Sequence, residues 1–155
     1  MHQIAPKKKF GQNFLTDQSI IERIVSIAGQ LENKSILEIG GGSGNLTKQL
    51  IKAKPKDLIV VEIDKDYVEI LGKILQSSSV KTTLISENIL KTDIYSYFSE
   101  PPVIFGNLPY NISTKILAKL LGPSNDKNKW EKLFLMFQLE VACLLYTSPS
   151  PRDNR

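Results

Sequence analysis

The chain has 155 residues, of which 41% are hydrophobic and 23% charged, with a formal net charge of +4. That length supports one domain with a real core and not two, and the mild basicity permits an anionic partner without requiring one. A single cysteine, Cys143, and a single histidine, His2, exclude an intrachain disulfide framework, a cysteine-rich zinc site and a histidine-based triad or metal cluster.

In chain order, MHQIAPKKKF carries charge with no apolar run behind it, so it does not read as a secretory signal. Asp17 is placed to cap a helix whose apolar positions are Ile20, Ile21, Ile24, Val25 and Ala28, stopped at Gly29. SILEI (35–39) reads as a buried strand running into the glycine loop Gly40-Gly41-Gly42-Ser43-Gly44, and Asn45 to Lys52 as the helix after it. DLIVVEID (57–64) is a second apolar strand, ending in acids, and Tyr67 to Leu75 is helical in period. TTLIS (82–86) and PVIFGN (102–107) follow as strands three and four. Ser113 to Leu121 is a helix stopped by Gly122-Pro123, and EKLFLMFQ (131–138) is strand five. The apolar run Leu133 to Leu145 is broken by Gln138 and Glu140 and is too short to span a bilayer, so the expected location is the cytoplasm. Continuous apolar strands alternating with helices predict a parallel sheet covered on both faces, a Rossmann-like doubly wound α/β fold. Such sheets bind ligands at the carboxyl ends of their strands.

Three features fall at those ends. The loop EIGGGSGN lets a ligand approach backbone with no Cβ in the way. Glu62 lies 20 residues past Gly42, where an acid commonly accepts the hydroxyls of a ribose. Together they point to an adenosine-type cofactor and leave two options. A nicotinamide dinucleotide needs the loop to hold a pyrophosphate, and the spacing here is G-x-G-x-G rather than G-x-G-x-x-G. S-adenosylmethionine carries no phosphate, and Glu38 before the loop is placed to offset its ammonium or sulfonium, which favours it.

The third feature, GNLPYNIST (106–114), suits an aromatic amine. Such an amine is a weak nucleophile that needs acceptors for its hydrogens more than a strong base. The Asn107 side chain and the Leu108 carbonyl supply acceptors, Pro109 fixes the direction of that carbonyl, and Tyr110 offers a face for an extruded base.

These stretches resemble the KsgA-type ribosomal RNA adenine dimethyltransferases: KKKFGQNFL (7–15), EIGGGSGNLT (38–47), VVEID (60–64), VIFGNLPYNIS (103–113) and FQLEVA (137–142). The resemblance implies a class I methyltransferase domain that methylates the N6 amines of two adjacent adenosines near the small-subunit rRNA 3′ end. It implies S-adenosylmethionine as cofactor, no metal, and a monomer when full length. It assigns cofactor contacts to Asn13 and Leu15 from an N-terminal segment, residues 1–16, and to Gly40, Gly42 and Glu62. Asn107 serves both cofactor and target, and Tyr110 stacks on the adenine. Two positions depart from the pattern. Gly41 stands where the family usually has proline, which is expected to loosen the loop. Asn88 stands where it usually has aspartate against the cofactor adenine, which is expected to weaken binding. The Erm-type large-subunit methyltransferases are the nearest rival; a DNA adenine methyltransferase, a non-catalytic RNA-binding relative and a nicotinamide oxidoreductase each leave one of these features idle.

Lys7, Lys8, Lys9 and Lys115 are the candidate rRNA contacts, with Lys119 one turn beyond Lys115. Lys48, Lys52, Lys54 and Lys56 read better as a solvated face. The domain is expected over 17–142, without the family's two further strands and helical domain, which makes strand five an apolar sheet edge prone to aggregation. Residues 143–155, CLLYTSPSPRDNR, read as a disordered, non-native tail.

Overall fold

The computed structural model describes residues 16–122 and 129–137. The first helix, α1 (Gln18–Ala28), starts where the Asp17 carboxylate accepts hydrogen bonds from the Ser19 and Ile20 N–H groups, and ends at Gly29 with φ of +80°. The strands are β1 (Ser35–Ile39), β2 (Asp57–Val61), β3 (Lys81–Ile85), β4 (Val103–Asn107) and β5 (Lys132–Met136). Between them lie α2 (Asn45–Lys52), α3 (Lys65–Gln76), a short 3₁₀ helix (Ile94–Tyr97) and α4 (Ser113–Leu121).

All strand pairs are parallel, in the order β3-β2-β1-β4-β5. Every residue of the central β1 is buried, as continuous apolar strands require. Alternation along the strands sorts their side chains into two cores. Ile36, Leu58, Val60, Val103 and Phe105 pack with Leu46, Leu50, Leu71 and Leu75 of α2 and α3. Leu37, Ile39, Ile59, Val61 and Ile104 pack with Ile94 of the 3₁₀ helix and Ile116 and Leu120 of α4. The chain runs outward through β2 and β3, then returns to place β4 on the other side of β1. A crevice over the carboxyl ends of β1 and β4 follows from that reversal.

The expected elements all form, with two differences. β2 ends at Val61 instead of reaching Asp64, because Glu62 turns its carboxylate back onto the Ile63 and Asp64 N–H groups at 2.9 Å each and draws them out of the ladder. The 3₁₀ helix was not expected, since four residues carry no period to read. Among the described residues β5 lies at a sheet edge, with Phe134 stacked on Phe105 at 5.1 Å between centroids. Its pairing with β4 continues one step past the strand, where the Leu108 N–H donates to the Met136 carbonyl at 3.2 Å.

Candidate active site

A pocket of about 260 Å³ opens over the ends of β1, β2, β3 and β4. The glycine loop forms one wall, and Gly40 is its pivot. With φ of +75° it adopts a conformation that side chains resist, and a Cβ there would stand 3.4 Å from the Asn107 carbonyl oxygen. The loop after β1 and the motif after β4 therefore meet backbone to backbone.

Glu62 is buried and holds the second wall. Its Oε2 accepts from the Gly42 N–H at 2.9 Å, while Oε1 accepts from Ile63 and Asp64. A carboxylate has about four acceptor positions, so about one remains for a ligand hydroxyl. Both carboxylate oxygens of Glu62 are thus already engaged by backbone donors. Asp64 has a different task. It caps α3, accepting from the Asp66 N–H at 2.9 Å.

Glu38 lines the pocket but is only 1% exposed, on the face of β1 turned to α2, where the buried Thr47 hydroxyl donates to Oε2 at 2.6 Å. Burial raises its pKa to about 7; the Thr47 hydrogen bond opposes this and the Glu62 charge adds to it. Glu38 is thus held toward its neutral form relative to an exposed carboxylate.

Asn88 lines the pocket too, but its Oδ1 already accepts from the Leu90 N–H at 2.9 Å, leaving about one lone pair for a ligand. Gly41 has a steric reason beyond loop freedom. A Cβ there would lie 2.8 Å from Val60 Cγ1 and 2.9 Å from both Leu71 methyls, so a proline would require Leu71 to move. Asn107 and Pro109 line the pocket, and Leu108 anchors the motif with a side chain 4% exposed. Tyr110 is 52% exposed and, like Leu108, is not among the residues that line the pocket.

The sequence did not single out Ser43, Asn45, Ile63, Glu87, Asn111 or Ile112, which also line the pocket. Only their adjacency to the motifs could have pointed to them. Lys115 is exposed on α4, whereas Lys119 turns inward and donates to the Ile89 and Thr92 carbonyls at 2.7 and 2.6 Å, which removes it from the RNA candidates. Lys56 pairs with Glu100 at 2.7 Å, and Lys48, Lys52 and Lys54 are exposed away from the pocket lining. Lys7, Lys8, Lys9, Asn13, Leu15 and residues 143–155 lie outside the described residues. Among the described residues, no group of three or more His, Cys, Asp or Glu is placed to hold a metal ion, and no helix is long and apolar enough to cross a membrane.

Among the described residues the lining contains three carboxylates, Glu38, Glu62 and Glu87, and no lysine or arginine. That is a poor setting for a pyrophosphate and a good one for a cationic adenosine derivative.

Residues 4–155 match the family of ribosomal RNA adenine dimethylases. The ribosomal RNA small subunit methyltransferase A of Pelagibacter ubique is 46% identical over 139 residues, which cover 90% of this chain and 52% of that protein. The protein of the same name from Erythrobacter litoralis is 36% identical over 148 residues, 96% of this chain and 52% of that one. Among solved structures, the 23S rRNA methyltransferase ErmE superposes with a TM-score of 0.71 at 27% identity, covering 84% of this chain and 50% of ErmE. A dimethyladenosine transferase from Plasmodium falciparum gives 0.68 at 27% identity, over 88% and 47%. The chain spans about half the length of the curated relatives it matches.

Proposed function

The chain belongs to the ribosomal RNA adenine dimethylase family, and from that premise we propose that its protein transfers methyl groups from S-adenosylmethionine to the N6 amines of two adjacent adenosines in small-subunit rRNA. The observation that carries the reading is the convergence of the glycine loop, Glu62, Asn107 and Pro109 on one pocket whose described lining holds acids and no basic side chain. The small-subunit substrate is favoured over the large because the curated relatives are named for it.

When bound, the cofactor supplies a methyl group on a cationic sulfur. Gly40 and Gly42 would give it close approach, Glu62 would take a ribose hydroxyl, Glu38 would offset the ammonium, Asn88 would accept from the adenine amine, and Asn13 and Leu15 would be its contacts from the N-terminal segment. The target adenine stacks on Tyr110. Asn107 Oδ1 and the Leu108 carbonyl accept the N6 hydrogens, which turns the nitrogen lone pair toward the methyl carbon. A nitrogen that had taken the methyl group would be acidic, and its extra proton would leave to solvent. Positioning in line supplies much of the acceleration. Lys7, Lys8, Lys9 and Lys115 contact RNA phosphates, and the protein works as a cytoplasmic monomer.

Calorimetry separates the cofactor alternatives: S-adenosylmethionine binds and NAD does not. A folded sample that gives no heat with S-adenosylmethionine sinks the proposal. Asn107→Ala in the intact protein is expected to lower methyl transfer by about 10²- to 10³-fold with RNA affinity nearly unchanged.

A further inference from the structure

The pocket walls come from elements that no ladder joins. The segment after β3 supplies Glu87, Asn88 and Ile89; α4 and the turn before it supply Ile112 and Ile116. In the sheet, β3 and β4 are separated by β2 and β1. The distance between these walls is therefore set by contacts above the sheet. Ile89 and Ile94 pack with Ile116 and Leu120, but apolar packing has little directional preference.

The segment is a compact turn. The Asn88 carbonyl accepts from the Lys91 and Thr92 N–H groups and the Thr92 hydroxyl, and that hydroxyl also approaches Glu87 Oε2 at 3.3 Å. Two of its other carbonyls, Ile89 and Thr92, receive the Lys119 ammonium from α4 at 2.7 and 2.6 Å. These are short charge-assisted bonds, and they cross directly from one pocket wall to the helix that carries the other. Burial holds the ammonium below the ordinary lysine value, with the Asp93 charge acting against the shift. Lys119 itself does not line the pocket.

We propose that Lys119 is a positioning residue that fixes segment 87–92 to α4, sets the width of the pocket between them, and so controls cofactor affinity without touching the cofactor. This rests on the cofactor reading above. It also gives the inward turn of Lys119 a purpose that a surface RNA contact would not have.

Lys119→Met keeps the apolar stem and removes both bonds. In the intact protein it is expected to raise the KM for S-adenosylmethionine about tenfold, while kcat at saturating cofactor and KM for RNA stay within about twofold. Lys119→Gln, which can reach one carbonyl, gives a smaller rise and serves if the methionine variant does not fold. A purely structural lysine would lower kcat and melting temperature and leave the cofactor KM alone, which overturns the proposal, as does a rise confined to the KM for RNA. If wild-type protein fails to bind S-adenosylmethionine, the functional reading falls and this inference with it. If the wild type binds and the methionine variant binds equally well, only this inference falls.

Discussion

The two sides of the pocket are held by opposite chemistry. On the β1–β2 side a carboxylate, Glu62, gathers backbone N–H groups from Gly42, Ile63 and Asp64. On the β3–α4 side an ammonium, Lys119, gathers the backbone carbonyls of Ile89 and Thr92. Strand ends in a parallel sheet leave both kinds of group without a ladder partner, and each side pairs them with a half- or fully buried charge of opposite sign. The difference lies in what remains. Glu62 lines the pocket and keeps an acceptor position for a ligand, whereas Lys119 stands behind its wall. The first charge both builds and binds; the second only builds.

Breaking the carboxylate side should have the largest effect. Glu62→Ala strands three N–H groups and removes a ligand contact, so cofactor affinity measured by calorimetry should fall by about 100-fold or more, with stability lower by about 3 kcal/mol in denaturant melts. Glu62→Ala doing less to cofactor affinity than Lys119→Met would reverse the comparison.

Glu38 sharpens it through pH. Its folded pKa of about 7 stands above the ordinary value of 4.5, so between those values the folded state holds more protons than the unfolded one. Stability of the cofactor-free protein is therefore greatest below about 4.5 as far as this group is concerned, falls as pH rises through 7, and is flat above, a change on the order of 3 kcal/mol. Glu38→Gln keeps an acceptor for Thr47 and should flatten that fall. Because an ammonium favours the ionised form, wild-type affinity for S-adenosylmethionine should rise about five- to tenfold from pH 6 to 7.5 and lose that slope in Glu38→Gln. An identical slope in the variant would remove Glu38 from the site.

Smaller effects come from the two departures in the wall. Gly41→Ala should destabilise by about 1–3 kcal/mol through the collision with Val60 and Leu71, and by less when Leu71 is shortened. Asn88→Asp should tighten cofactor binding by only a few-fold, since a charge strengthens one acceptor position whose neighbour is already engaged by Leu90. No tightening would mean that Asn88 does not meet the adenine amine.

The succession of strands and helices along the chain and the placement of the loops were legible because apolar runs and glycines report directly on burial and turning. Glu62 was legible by its distance from the loop. Its effect on its own strand was not, because nothing in VVEID says that the acid will pull two amides out of the sheet. The environment of Glu38 was not legible because a sequence shows a carboxylate and not the helix above it; Thr47, nine residues on, becomes its partner only in three dimensions. Lys115 and Lys119 look alike along the chain, one turn apart. They differ because a long flexible arm can turn either to solvent or to a carbonyl, and the segment holding those carbonyls lies about 30 residues upstream.

The hydrogen bond from Leu108 to Met136 ties the reaction motif to the outermost strand. The amide just after Asn107 is thereby measured against β5, like a mark read from a ruler's edge. A slip of one residue in β5 would carry that mark with it and rotate Asn107 and Pro109 relative to Gly40. Whatever pairs with the outer side of β5 would hold the ruler still. Chain pairing at that edge would thus tune the geometry of the pocket one strand away, through the backbone alone and with no side chain of its own at the site.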